Sequence, residues 1–263
     1  MNVSLIITTY NNPAALKKVV ESVVDQTRLP DEVLIADDGS DANTGSLVKV
    51  VSETAPFPVL HVWQENKGFR AARIRNEAIR RSKGDYIILL DGDCVVNRHF
   101  ISDHLSLAER NCFIQGKRMH VTRAAVTFFN HRHANSPLKL LNLALTGAIS
   151  NIHHLIRITR CPSFKNRKLK GIKSCNMSLF RQDIVAVNGF NEDFVGWGNE
   201  DSEMASRFFR YGLFKKVHQF MAVCFHLWHP SNKNMTSGNN KQLLSKALAS
   251  KEFFCKNGLV KKN

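Results

Sequence analysis

Four runs of strand length, Val3 to Thr8, Glu32 to Ala36, Val59 to Gln64 and Asp85 to Leu90, alternate with three segments of helical periodicity, Pro13 to Gln26, Thr44 to Glu53 and Phe69 to Lys83. This alternation constrains the fold more than any other feature of the chain. Strands joined through helices pair in parallel with right-handed crossovers, which predicts an α/β fold, a doubly wound and mostly parallel sheet with helices on both faces. Pro13 suits a first helical turn, and Ala72, Asn76 and Ile79 share one face of the third helix. Ligands of such sheets sit beyond the carboxyl ends of the strands. Thr8-Thr9-Tyr10-Asn11, Asp37-Asp38-Gly39-Ser40 and Asp91-Gly92-Asp93 all fall at those ends, so three polar clusters converge on one rim.

The last of these clusters carries the most chemistry. Tyr86-Ile87-Ile88-Leu89-Leu90 is a buried-strand pattern that ends abruptly in two carboxylates, Asp91 and Asp93. Residues i and i+2 of an extended chain point the same way, so both can reach one cation. Oxygen ligands suit Mn²⁺ or Mg²⁺, ions that keep part of their shell for water and phosphate and therefore suit a nucleoside diphosphate. Taken alone, Asp-Gly-Asp is equally a solvated turn closing a strand.

The net charge of +15 has one source: fourteen Lys or Arg and no Asp or Glu lie between Arg110 and Gln182. Such a block attracts nucleic acid, anionic lipid or a phosphorylated substrate. Interleaved aromatics of the base-stacking kind are missing from it, so a nucleic-acid partner is not expected. Leu138 to Ile149 is apolar but too short to span a bilayer, and is expected as a core helix, with an interfacial helix the alternative. Ser163 to Lys173 reads as a basic loop, and Lys241 to Asn263 as a Lys-rich helical tail. Six cysteines without C-x-x-C spacing fit reduced thiols. With no signal-like N-terminus and no membrane-length apolar run, a cytoplasmic protein is expected.

Read together, Ile6-Ile7-Thr8-Thr9-Tyr10-Asn11, Ala36-Asp37-Asp38-Gly39-Ser40, Asn66-Lys67-Gly68-Phe69-Arg70 and Leu89-Leu90-Asp91-Gly92-Asp93 resemble a family 2 glycosyltransferase of the GT-A fold. Gly189-Phe190-Asn191-Glu192 and Gly196-Trp197-Gly198-Asn199-Glu200-Asp201-Ser202-Glu203 resemble the C-terminal half of galactosyltransferase-like and chondroitin-polymerase-like catalytic domains. The resemblance implies a nucleotide-sugar-binding half over residues 1–110, an irregular acceptor-binding and catalytic-base half over 111–240, and a basic tail over 241–263.

It also implies roles for single residues. Thr8, Tyr10, Asp38, Arg70 and Asp91 would bind the nucleotide-sugar, Asp38 by accepting the imide N–H of uracil and Arg70 as a planar cation. Asp93 would be the primary metal ligand, with Asp91 direct or through water, and a late histidine would complete the site, His226 or alternatively His229. Asp201 would be the general base of an inverting transfer, with Glu200 holding the acceptor or the loop. Adjacent carboxylates raise one another's proton affinity, which suits a base working near neutrality. Trp197 and Gly198 would offer a sugar ring a platform and close backbone approach, and Asn176 would line the donor sugar. The expected activity is transfer of a hexose or N-acetylhexosamine from a UDP-sugar to a glycan or lipid-linked, anionic acceptor at the inner surface of a bacterial membrane, in lipopolysaccharide or polysaccharide synthesis. A metal-dependent nucleotidyltransferase and a basic nucleic-acid-binding α/β protein are the competing readings.

Overall fold

A computed structural model describes residues 1–230 and 238–261; residues 231–237, inside the expected acceptor half, and 262–263, at the end of the expected tail, lie outside the described residues. The first part follows the alternation: β1 (Val3–Thr9), α1 (Pro13–Val24), β2 (Glu32–Asp37), α2 (Ala42–Thr54), β3 (Val59–Trp63), α3 (Ala71–Arg81) and β4 (Tyr86–Asp91). Then come β5 (Cys94–Val96), α4 (Phe100–Leu107), β6 (Cys112–Gln115), β7 (Lys117–Val121), α5 (His131–Ala134), α6 (Pro137–Leu145) and β8 (Ile149–Ser150). The chain continues through β9 (Phe164–Asn166), β10 (Asn176–Phe180), α7 (Arg181–Ala186), α8 (Glu200–Tyr211), β11 (Phe214–Val217), β12 (Val223–His226) and α9 (Gly238–Ala249).

The main sheet has eight strands in the order β3-β2-β1-β4-β10-β6-β11-β9, with the first four mutually parallel. β10 enters antiparallel between β4 and β6, pairing Leu90 with Asn176 and Ser178 with Ile114. Period-2 alternation splits the core cleanly. Val3, Leu5, Ile7, Val33, Ile35, Ile88 and Leu90 pack under α1 and α2, whereas Ile6, Leu34, Ala36, Ile87 and Leu89 pack under α3, α7 and α8. Helices therefore cover both faces, and the α/β expectation holds.

A small second sheet, β5-β12-β7-β8, closes over the C-terminal end of β4. Its register sets Cys94 beside His226 and His226 beside His120, which carries the late histidines to the aspartate rim.

Two local readings change. The stretch from Leu138 is a helix only to Leu145, and only one side of it is core: Leu140 and Leu143 are buried, while Leu138 (80% exposed), Leu141 and Leu145 (79%) face outward. The basic loop from Ser163 contains the edge strand β9, which Lys165 and Lys216 help tie to Glu109. Among the described residues no helix is long and apolar enough to cross a membrane.

Candidate active site

Close packing sets the geometry at the rim. The Gly92 N–H donates to the Thr8 carbonyl at 2.7 Å, and a side chain at Gly92 would meet that oxygen at 3.0 Å. The chain therefore turns tightly after Asp91 and presents Asp93 at the head of β5. The Leu227 N–H donates to the Asp93 carbonyl at 2.8 Å, fixing the end of β12 alongside.

By sequence His226 and His229 are alternatives; the fold brings both to Asp93. The Nε2 atoms of His226 and His229 lie 3.4 and 3.3 Å from Asp93 Oδ2, and one ligand atom from each of the three residues falls within 4.8 Å of the others. Burial pushes the Asp93 carboxyl upward, but the hydrogen bond to His229 and the nearby His226 outweigh it and hold the group below the usual carboxylate range. Burial lowers the proton affinity of His226, whereas the bond to Asp93 raises that of His229. A carboxylate with two imidazoles is a donor set that Mn²⁺ accepts readily and Mg²⁺ less so.

Behind this cluster sits a residue that none of the sequence motifs includes. Arg75 is buried on α3, its Nε donating to Thr8 Oγ1 (3.2 Å), one terminal nitrogen to Asp91 Oδ1 (3.2 Å) and the other to Glu200 Oε1 (3.3 Å). One cation thus joins the end of β1, the end of β4 and the start of α8. A signal was available, because Arg75 lies three residues after Ala72 and four before Ile79, on the inward face of the helix. Burial, with the neighbouring Asp201, pushes the Glu200 carboxyl up to about 7 despite Arg75.

Asp201 follows in the first turn of α8. Its Oδ2 accepts the Ser174 N–H at 3.0 Å, and its buried Oδ1 has no partner among the described residues. Trp197 is 61% exposed in the loop before α8. Gly196 and Gly198, at φ +82° and +98°, make the turns of that loop. The buried Asn240 of α9 donates to the Gly198 carbonyl at 3.1 Å and so anchors the loop from beneath, a second contributor that no motif announced.

The nucleotide-side residues divide. Tyr10 is exposed, its hydroxyl accepting from Asn66 Nδ2 at 3.0 Å, and the Nε of the half-buried Arg70 has no partner among the described residues. Asp38 is only 3% exposed, and its oxygens accept the Arg70 N–H (2.7 Å) and the Gln64 amide. It shapes the loop from Gln64 to Arg70 rather than presenting a free carboxylate. Burial, opposed by those bonds, raises its proton affinity. Asn176, expected to line the sugar, is 0% exposed. Its Nδ2 donates to the Lys117 and Ala222 carbonyls at 2.9 and 2.8 Å, and its Oδ1 meets His104 Nε2 at 3.0 Å. These bonds use both amide hydrogens and engage the oxygen, joining the two sheets, so the side chain is turned into the fold.

Comparison with known proteins agrees with this layout. Residues 4–185 match the family described as Glycosyl transferase family 2, and residues 155–229 match the N-terminal domain of galactosyltransferase. A hyaluronan synthase of Pasteurella multocida is 27% identical over 251 residues, which is 90% of this chain and 25% of that protein. A chondroitin synthase of Escherichia coli is 25% identical over 248 residues, 89% of this chain and 36% of that protein. The chain thus spans between a quarter and about a third of the length of these two relatives. Among solved structures, S. aureus TarS in complex with UDP-GlcNAc has a TM-score of 0.64 at 15% identity, covering 94% of this chain and 66% of that one. A mannosyltransferase from Pyrobaculum calidifontis, in complex with GDP-Man and Mn²⁺, has a TM-score of 0.60 at 18% identity, covering 88% and 58%. The family match extends over well more than half of the sequence, so the chain belongs to glycosyl transferase family 2.

Proposed function

We propose that this chain transfers a hexose or N-acetylhexosamine, with inversion, from a UDP-sugar to a glycan acceptor in bacterial cell-envelope synthesis. The convergence of Asp93, His226 and His229 at the end of β4, beside Asp91, carries this reading. Those three residues would hold Mn²⁺ or Mg²⁺, and the bound ion would neutralise the diphosphate so that it leaves more readily. Tyr10 and Arg70 lie near the C-terminal ends of β1 and β2, where a base and ribose would lie. Inversion requires a base on the face opposite the leaving group. Asp201 suits that role, since one oxygen is fixed by Ser174 and the other has lone pairs left for an acceptor hydroxyl. Glu200, held by Arg75, orients the start of α8, and Trp197 gives the acceptor sugar an apolar face. The outward Leu138, Leu141 and Leu145, in a stretch without carboxylates, support docking at an anionic membrane surface.

Isothermal titration of UDP, with Mn²⁺ and after chelation, tests this reading. Binding should require the ion and vanish in Asp93→Ala. Equal affinity in chelator would overturn the metal-assisted mechanism. A panel of UDP-sugars would then identify the donor.

A further inference from the structure

A second cavity opens on the far side of the histidine cluster. It encloses about 480 Å³, within the range of small-molecule sites, and Lys117, Arg118, His120, Lys170, Lys173 and Phe164 are among the residues lining it. No Asp or Glu lines it. Several buried or half-buried cations elsewhere do have carboxylate partners: Arg75 with Asp91 and Glu200, Arg80 with Glu192, Arg157 with Asp103, Arg207 with Glu203, Lys216 with Glu109. Lys117, Arg118, Lys170 and Lys173 have none among the described residues. Half-buried Lys117 and Arg118 give up hydration without a carboxylate in contact among the described residues, an arrangement that favours a bound anion.

The cavity adjoins the reacting centre through three consecutive residues. Lys173 lines it, the Ser174 N–H holds Asp201 at 3.0 Å, and the Cys175 carbonyl accepts the Asp91 N–H at 3.4 Å while its sulfur accepts from Arg118 at 3.7 Å. On the other wall the His120 ring packs edge-on against His226 with centroids 5.5 Å apart. Exposed Phe164 supplies an apolar face inside the same cavity. Charge, an aromatic wall and adjacency to Asp201 describe a site for a ring that carries a negative group.

We propose that this cleft is an acceptor subsite for an acidic saccharide, holding a sugar carboxylate or phosphate against Lys117, Arg118 and Lys173 while a hydroxyl of the acceptor reaches Asp201. The proposal rests on the glycosyltransferase reading and narrows its acceptor class.

The test is NMR titration of the full chain with three probes, methyl β-D-glucuronide, glucose 6-phosphate and methyl β-D-glucoside, alongside UDP with Mn²⁺. At least one acidic probe should bind about tenfold or more tighter than the neutral glycoside, as expected for one charge-assisted contact. Which acidic probe binds tells a uronate from a phosphorylated sugar. Arg118→Gln should remove that preference and Arg118→Lys should keep part of it, with UDP affinity within about twofold. Because Lys170 and Lys173 are exposed, a Lys170→Gln, Lys173→Gln double variant carries the same test if Arg118→Gln does not fold. Equal binding of acidic and neutral probes, or loss of UDP binding with the acidic preference, overturns the subsite. Saccharide binding without any UDP binding instead overturns the transferase reading beneath it.

Discussion

Replacing Arg75 by Met keeps much of the side chain's bulk and removes the cation paired with Glu200 among the described residues. In the native protein the Glu200 carboxyl already sits at about 7, because burial outweighs Arg75. Without the guanidinium it rises further. At pH 6 the carboxyl is mostly protonated in either protein, so the substitution costs little beyond the hydrogen bonds to Thr8, Asp91 and Glu200, about 1–2 kcal/mol. At pH 8.5 the native chain carries an ionised Glu200 beside Arg75, whereas the variant must bury that charge alone or keep a proton against the pH gradient. Stranding one partner of a buried pair costs about 3–5 kcal/mol, so the penalty should grow with pH by roughly 2 kcal/mol. The sign follows from the raised acid: stability associated with it is present at low pH and is lost as pH rises through the folded-state value. Urea unfolding of both proteins at pH 6 and 8.5 measures the difference. Adding Glu200→Gln to Arg75→Met should remove only the Glu200 share of the pH dependence, because Asp91, buried beside the same guanidinium and also raised to about 7, keeps its own. A penalty that is equal at both pH values, or larger at pH 6, would refute the argument.

Three further outcomes are expected. His104, buried against Ser178 and Asn176, is held down to about 4 by burial, so as pH falls from about 6.5 to 4 the unfolded chain takes up a proton that the native ring refuses. This should cost about 3 kcal/mol over that window, and urea midpoints of His104→Gln should lack that share of the slope. Gly116→Ala would set a methyl 2.1 Å from Asn176 Oδ1, an amide pinned on both sides; a loss of about 1–3 kcal/mol in chemical denaturation is expected, and an unchanged midpoint would show that the sheet junction yields. Leu138→Ser with Leu145→Ser should weaken co-sedimentation with anionic vesicles while leaving the melting temperature within a degree or two, since both side chains are solvent-facing.

The parts legible in the sequence are those set by local pattern. β1 to β4 and α1 to α3 are found within about three residues of their expected ends, because strand alternation and helix spacing are properties of short windows. α2 begins earlier than expected, at Ala42, because Asp41 caps it by accepting the Asn43 and Thr44 N–H groups. Beyond Arg110 the strands shrink to between two and five residues and pair with distant partners, so no window contains their signal. The same distinction applies at the site. Asp91 and Asp93 are legible by spacing as candidates, whereas the joint approach of His226 and His229 depends on β12 pairing with β5 and β7. For Asn176 the spacing carries no information on side-chain direction, and its amide is turned into the junction between the sheets. Arg75 escaped notice because an arginine on a helix is ordinarily a surface residue, and only the inward phase of α3 says otherwise.

The antiparallel insertion of β10 between β4 and β6 also has a temporal meaning. β1 through β4 are consecutive units that can assemble early, β2 pairing with β1 and β3 with β2 across short crossovers before β4 returns to the other side of β1. Leu90 must wait for Asn176, and Cys94 for His226, before the second half can seat. A chain synthesised only as far as about residue 100 would own both rim aspartates yet lack the imidazoles and the acidic pair of α8. Competence for transfer would therefore be acquired late and all at once, when the last strand of the small sheet locks into place.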